Sequence, residues 1–173
     1  MGYTTTFHGR FELDKPLTPE HAAYLARFAD TRRMGRVQVM LNDLPDLIRV
    51  AAGLPLGQEG GYFVAGEAAN DALEDPDDPS VLDDGEPPVG QPSLWCDWAP
   101  TVDGHGIEWN GREKFYCCEA WLFYLIRHFL KPWGYTLNGQ VRWRGQGPAD
   151  RGTIHVAHNR ILDFYPEVER WGD

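Results

Sequence analysis

The most apolar segment of the chain, residues 111–131, constrains the fold most. Asn110 and Glu113 just at its start have the spacing of a capping box, and Pro132 follows its end. Apolar side chains recur within it at helical spacing, namely Cys118, Trp121, Leu122, Leu125, Ile126 and Phe129. Such a stripe is typical of a helix with one buried face. We therefore expect one helix over residues 111–131 that packs against another layer of structure.

The N-terminal residues indicate a strand followed by a second helix. From Thr5 to Leu13 apolar and polar residues alternate, which is the period of a strand with one wet face. Thr18-Pro19-Glu20 then combines a capping residue, a first-turn proline and an acidic residue at the positive helix end. This pattern predicts a helix from Pro19 to about Arg33, with Arg33 on its outer side.

The second half of the chain contains further alternating segments. Residues 94–109 alternate on both sides of Asp103-Gly104, which predicts a hairpin. Residues 140–157 repeat the pattern around a Gly/Pro/Asp turn, and residues 161–164 suggest a last short strand.

Residues 34–64 carry weaker signals. Residues 36–41 are compatible with either strand or helix, residues 45–52 predict a short helix ended by a glycine, and residues 62–64 predict a brief strand.

The order strand, helix, long insertion, hairpin, helix, hairpin predicts an α+β fold. We expect an antiparallel sheet with two helices on one face, in the ferredoxin-like (split βαβ) arrangement. The length of 173 residues is that of a single domain, residues 1–173. The insertion covers roughly residues 34–92, including an acidic loop at residues 65–92. Periodicity does not determine the order of the strands.

Charge is concentrated in that acidic loop. The chain has a net charge of −10, and residues 65–92 contain nine acidic side chains and no Lys or Arg, so the rest of the chain is left near −1. A protein of this charge has no general preference for nucleic acid. One-sign charge of this kind can steer a basic protein partner. The candidate binding residues in the loop are Asp77, Asp78, Asp83 and Asp84.

The sequence predicts a cytoplasmic protein that is not bound to a membrane. Its N-terminus has no signal-peptide pattern, and no window approaches the about 20 apolar residues that a membrane span needs. Cys117 and Cys118 are adjacent and point apart on a helix, which leaves no obvious disulfide pair with Cys96.

The sequence predicts no metal site and no cofactor site. An EF-hand-like spacing starts at Asp75, but Pro79 and Ser80 occupy positions where a ligand and the turn glycine belong. His155 and His158 lie on opposite faces of a strand, where they cannot share an ion.

The polar residues of the predicted strands should share one sheet face, and this face offers three alternatives. These residues are His8, Arg10, Glu12, Trp95, Asp97, Glu108, Arg142, Arg144 and His155. A small enzyme could use Asp97 and Glu108 as a carboxylate pair, with Arg142 and His155 beside them. A binder of single-stranded nucleic acid could stack bases on Trp95 and Trp143, although the charges of the face nearly cancel. The same face could also form a homodimer.

The chain resembles an uncharacterised family of small acidic proteins from bacteria and their phages. The matching words are Phe7-His8-Gly9-Arg10-Phe11, Leu17-Thr18-Pro19-Glu20, Pro87-Pro88, Gln91-Pro92, Leu94-Trp95-Cys96, Ile107-Glu108-Trp109, Glu113-Lys114-Phe115-Tyr116, Phe129-Leu130-Lys131-Pro132-Trp133-Gly134-Tyr135 and Leu137-Asn138-Gly139. The resemblance spans most of the chain, and the Cys117-Cys118 pair departs from the usual members. It implies a bacterial or phage origin and no particular activity.

Because no catalytic signature of high specificity is present, the leading hypothesis is a non-enzymatic interaction protein. It would be a phage or prophage accessory factor that binds a host protein through Trp95, Arg10, Arg144 and the acidic loop.

Overall fold

The computed structural model describes residues 2–65 and 76–166, with side chains as far as residue 162. The protein is a mixed α+β structure with an antiparallel sheet and, in the described ranges, four α-helices. The chain divides into two compact units, Met1–Pro16 with Asp97–Asp173, and Leu17–Cys96. Within the described ranges, no helix has the length and apolar character to cross a bilayer.

The first unit contains the antiparallel sheet and one long helix. Its elements are β1 (Thr6–His8), β2 (Arg10–Leu13), β5 (Trp98–Pro100), β6 (Gly106–Trp109), α4 (Cys118–Leu125), β7 (Leu137–Arg144), β8 (Arg151–Ala157) and β9 (Arg160–Pro166). The strands lie in the order β5-β6-β2-β7-β8-β9, and β1 pairs with β7 beyond β2. Neighbouring strands are antiparallel throughout, as the two predicted hairpins and the alternating first strand require.

The predicted alternation of the first strand is confirmed, with one interruption. Gly9 has a φ of 100° and separates β1 from β2. The register against β7 continues unchanged across it, because His8 is opposite Arg142 and Phe11 is opposite Gly139. β1 and β2 therefore act as one strand. Its buried side chains are Phe7, Phe11 and Leu13.

An aromatic cluster forms the core between this sheet and α4. The Trp98 ring lies 5.3 Å from Phe7, 5.6 Å from Phe11 and 5.2 Å from Phe115, in edge-to-face contacts. The Trp98 indole N–H donates a 2.7 Å hydrogen bond to the carbonyl of Cys118 at the start of α4. These aromatic side chains thus fill the core on this side of the sheet.

The long helix begins later than its sequence pattern predicts. α4 starts at Cys118, and it continues as a π-helix over Ile126–Leu130. The Asn110 side chain accepts a hydrogen bond from the Arg112 amide, so it shapes a turn and caps no helix. Lys114 and Cys117 have positive φ angles of 61° and 57°, which a helix excludes. The predicted buried stripe from Trp121 onward is confirmed.

The second unit contains three helices and a two-stranded sheet. Its elements are α1 (Pro19–Ala29), β3 (Gly35–Arg36), α2 (Gln38–Leu41), α3 (Leu47–Ala51), a 3-10 turn (Gln58–Gly60) and β4 (Val81–Asp83). Thr18 caps α1 by accepting from the His21 amide at 3.3 Å, as predicted. The short helix expected at residues 45–52 is present as α3. Residues 81–83 of the acidic loop form the short strand β4.

Two predictions are wrong, namely that Arg33 lies on the outer side of the helix and that residues 62–64 form a strand. Both are explained by side-chain hydrogen bonds to the backbone of residues 61–64. α1 ends at Ala29, and Arg33 is only 2% exposed. Four successive carbonyls, those of residues 61–64, accept hydrogen bonds from side chains: Gly61 and Phe63 from Arg33, Tyr62 from Tyr24, and Val64 from Arg27. The segment therefore needs no strand partner to satisfy these groups.

Three predictions about the arrangement of the chain stay predictions. α1 belongs to the second unit and α4 to the first, so their common placement on one face of the sheet is an expectation. The same holds for the ferredoxin-like arrangement and for a single domain over residues 1–173.

Candidate functional site

The described part of the acidic loop is anchored to the strand β3. We define the acidic segment as residues 77–86. Within it, β4 pairs antiparallel with β3, with Val81 opposite Arg36 and Asp83 opposite Gly35. Backbone hydrogen bonds extend the pairing, because the Val37 amide donates to Ser80 at 2.8 Å and the Gly35 amide donates to Glu86 at 3.1 Å. The segment is thus held at both ends.

A buried arginine adds a side-chain anchor. Arg36 is 3% exposed and donates a 2.7 Å hydrogen bond to the hydroxyl of Ser80. The Ser80 hydroxyl and amide both donate to Oδ1 of Asp78, at 2.5 and 2.8 Å. The Arg36 guanidinium lies 3.7 Å from the same carboxylate. Asp78, which was predicted to bind a partner, therefore helps to hold the segment in place.

The other described acidic residues of the segment are exposed, namely Asp77, Asp83, Asp84 and Glu86. Two aliphatic residues near them in the sequence are exposed as well, Leu82 at 59% and Val89 at 61%. Asp83 also accepts from the Gly85 amide at 2.8 Å, which fixes the turn after β4. Arg32 donates to the Asp84 carbonyl at 2.9 Å. The other acidic residues of the loop, at positions 67, 71, 74 and 75, lie outside the described residues.

The strand register brings most of the predicted polar face together. Glu108 on β6 is directly opposite Arg10 on β2. The register of β1 and β2 with β7 brings Arg10 level with Gln140, which is opposite His155 on β8, so Glu108, Arg10 and His155 lie in one row across the sheet. His8 is opposite Arg142 on the same face. Arg144 follows on β7, directly opposite Arg151.

Arg10 is neutralised by two carboxylates. Its guanidinium lies 2.9 Å from Asp103 and 2.6 Å from Glu12. The hydrogen bonds that Arg10 donates to Asp103 and, with a smaller effect, to Glu12 raise the pKa of Arg10. Hydrogen bonds from Thr101, Arg10 and the His105 amide lower the pKa of Asp103. Asp103 was predicted only as a turn residue, and the Asp-Gly turn spacing does not reveal its role as a partner of Arg10.

The four residues of the enzymatic alternative are not brought together. Asp97 is 1% exposed, and its Oδ1 lies 3.6 Å from Nε of Arg112, whereas it was expected on the wet face. Glu108 is opposite Ala99. Three strand spacings, roughly 14 Å, separate Glu108 from His155 across β6-β2-β7-β8. Direct proton transfer between side chains requires much shorter distances.

Trp143, one of the two tryptophans of the nucleic-acid alternative, does not lie on this face. Trp143 is opposite Phe7, and alternation along β7 places it on the face opposite that of Arg142 and Arg144. Trp95 is half-buried in the second unit and belongs to no strand.

Metal-ligating side chains are not clustered in the part of the chain that the structure describes, where no group of three or more His, Cys, Asp or Glu could hold an ion. His155 lies on β8, whereas His158 is in the turn after it with a φ of 49°. The EF-hand-like spacing begins at Asp75, which lies outside the described residues.

Comparison with known proteins gives no match: no family model, no curated protein and no solved structure is similar to this chain. The resemblance to the small acidic family stays a prediction.

Proposed function

We propose that the protein is a non-enzymatic interaction protein whose acidic segment binds a basic surface of a protein partner. The observation that carries the proposal is the combination, in one segment, of an anchored backbone, exposed acidic residues and the exposed aliphatic side chain of Leu82, with exposed Val89 three residues after the segment. The sequence alone indicated charge. The anchoring through Arg36 and Ser80 adds a fixed shape.

This combination is suited to binding for two physical reasons. Carboxylates of one sign accelerate the encounter with a basic partner and disfavour acidic ones. An anchored segment has already lost much of its conformational freedom, so binding costs less ordering entropy. The apolar contacts of Leu82 and Val89 would add to affinity once the partner is in place.

The proposal includes the origin and location of the protein. The family resemblance suggests a bacterial or phage source, in which the partner would be a host protein. The three cysteines, Cys96, Cys117 and Cys118, form no disulfide bond, which is compatible with the reducing cytoplasm. We also propose that the framework is ferredoxin-like with both long helices on one sheet face. The position of β2 between β6 and β7 supports this arrangement.

Quantitative capture from bacterial lysate tests the function. The segment variant carries Asp77→Asn, Asp83→Asn, Asp84→Asn and Glu86→Gln. A control variant loses the same charge at four other exposed positions, through Glu20→Gln, Asp43→Asn, Glu113→Gln and Glu119→Gln. The wild type and the control should retain the same proteins, and the segment variant should lose them. Equal capture by all three proteins, or equal loss in both variants, would refute the proposal.

A further inference from the structure

One part of the exposed sheet face is basic, and we call it the basic face. It is formed by outward side chains of β1, β7 and β8: His8, Arg142, Arg144, Arg151 and His155. All five residues are exposed. Arg142 and Arg144 are two positions apart on β7, and therefore point the same way at a separation of roughly 7 Å.

The outward positions of β2 and β6 differ in charge from those of β1, β7 and β8. Arg10 on β2 is surrounded by Glu12, Asp103 and Glu108. By contrast, the described outward positions of β1, β7 and β8 contain no Asp or Glu. Nearby acidic residues are Asp150, half-buried in the β7–β8 turn, and Asp163, which is the register partner of His155 on β9. The sequence predicts that the charges of the whole polar face nearly cancel, whereas the strand register divides the face into two zones of different charge.

The register places basic side chains next to one another within the basic face. Arg144 is directly opposite Arg151, and Arg142 is directly opposite His8. Guanidinium groups bind carboxylates with two parallel hydrogen bonds, so the neighbouring guanidinium groups of Arg142 and Arg144 suit an anionic partner.

We propose that the basic face docks the acidic segment of a second copy of this chain. The inference rests on the proposed function and names one basic surface that the segment binds. Charge complementarity is the argument: Asp83 and Asp84 are adjacent exposed carboxylates, and Arg142 and Arg144 are neighbouring exposed guanidinium groups. Both surfaces are present at equal concentration in any solution of the protein.

A nucleic-acid strand is the less favoured occupant. The chain has a net charge of −10, which repels phosphate at long range. Base stacking on this face would need an aromatic side chain, and Trp143 lies on the opposite side of β7.

Charge-swap complementation with the full-length chain tests the inference. The face variant carries Arg142→Glu and Arg144→Glu, and the charge-reversed segment variant carries Asp83→Lys and Asp84→Lys. Light scattering should show that wild type self-associates, with an association constant that falls at least about tenfold between about 0.1 M and about 1 M salt, as the Debye length shortens. Each variant alone should be monomeric, because its two surfaces then repel. An equimolar mixture should associate again, because both surface pairs regain opposite charge.

The outcomes separate this inference from the proposed function. A wild type that is monomeric at every concentration, or a mixture that stays monomeric, overturns the inference. If such a monomer still captures a lysate partner through the acidic segment, the proposed function stands. Self-association that both variants retain overturns the inference too. Binding of a fluorescent single-stranded oligonucleotide that the face variant loses, without complementation in the mixture, would assign the face to nucleic acid instead.

Discussion

The guanidinium of Arg36 donates a 2.7 Å hydrogen bond to the hydroxyl of Ser80, and both side chains are almost fully buried. The two residues are 44 positions apart in the sequence. The Ser80 hydroxyl in turn donates a hydrogen bond to Asp78, so the buried guanidinium on β3 fixes the start of the acidic segment. This relationship converts an acidic stretch of sequence into an anchored surface.

Replacing Ser80 by Ala should therefore destabilise the protein. The change removes the hydroxyl that accepts from Arg36, and the loss of this buried hydrogen bond to a charged group costs about 1 to 3 kcal/mol. Urea denaturation measures the loss in the free energy of unfolding. Ser93→Ala is the control, because the Ser93 hydroxyl makes a longer 3.3 Å bond to the Trp95 carbonyl. Equal effects of the two substitutions would argue against the anchor.

Replacing Arg33 by Lys should have a large effect for a conservative change. Its guanidinium donates to the carbonyls of Gly61 and Phe63 and to the side chain of Gln91, and an ammonium cannot span all three. Each buried acceptor left unpaired costs about 1 to 3 kcal/mol, so the free energy of unfolding should fall by at least about 2 kcal/mol. The neighbouring Arg32→Lys should cost under about 1 kcal/mol, since its bonds are exposed. Similar values for both would contradict this account.

The apolar stripe of α4 gives a third prediction. Leu122 is fully buried, and Leu122→Ala should reduce the free energy of unfolding by about 2 to 5 kcal/mol. The adjacent Phe123 is 54% exposed, so Phe123→Ala should change it by about 0.5 kcal/mol or less. Thermal and chemical denaturation of both variants measure the difference. A larger loss of unfolding free energy for Phe123→Ala than for Leu122→Ala would contradict the assignment of Leu122 to the buried face of α4.

The Cys118 thiol should make stability fall at alkaline pH. Burial raises the pKa of Cys118 from 9.0 to about 12. Between these values the unfolded chain loses a proton that the folded chain keeps, so this contribution is complete below about pH 9 and is lost as the pH rises towards about 12. Cys118→Ala should show a flatter decline of unfolding free energy from about pH 9 to about pH 11.

A thiol-labelling experiment gives an independent check on Cys118. At pH 8 the exposed Cys117 should be alkylated first and Cys118 only slowly, because the thiolate is the reactive form. Equal rates at the two cysteines, read by mass spectrometry, would contradict the raised pKa.

Local patterns predicted the elements of this protein better than their ends. Alternation at Phe7 and Phe11 predicted the correct buried face, because successive side chains of a strand point to two opposite faces and only one of them is buried. The start of α4 was missed because Lys114 and Cys117 adopt positive φ angles, and such residues have no reliable sequence signal outside glycine and asparagine.

Long-range polar contacts explain what the sequence could not show about the site. Arg33 and Arg36 look like surface residues by period and charge, yet both are buried because carbonyl and hydroxyl acceptors reach them from segments about 30 or more positions away. The acidic segment was recognised from composition, whereas its anchoring was not. The charge zones of the sheet face likewise depend on register, and strand order was beyond the reach of periodicity.

The most direct test of the central claim is the affinity for a protein captured through the acidic segment. Isothermal titration should give a dissociation constant at least about tenfold higher for Asp83→Asn/Asp84→Asn than for wild type, a loss of about 1.4 kcal/mol. The matched pair Glu113→Gln/Glu119→Gln should bind as wild type does. An unchanged affinity in the Asp83/Asp84 variant, or an equal loss in the matched pair, would contradict the account.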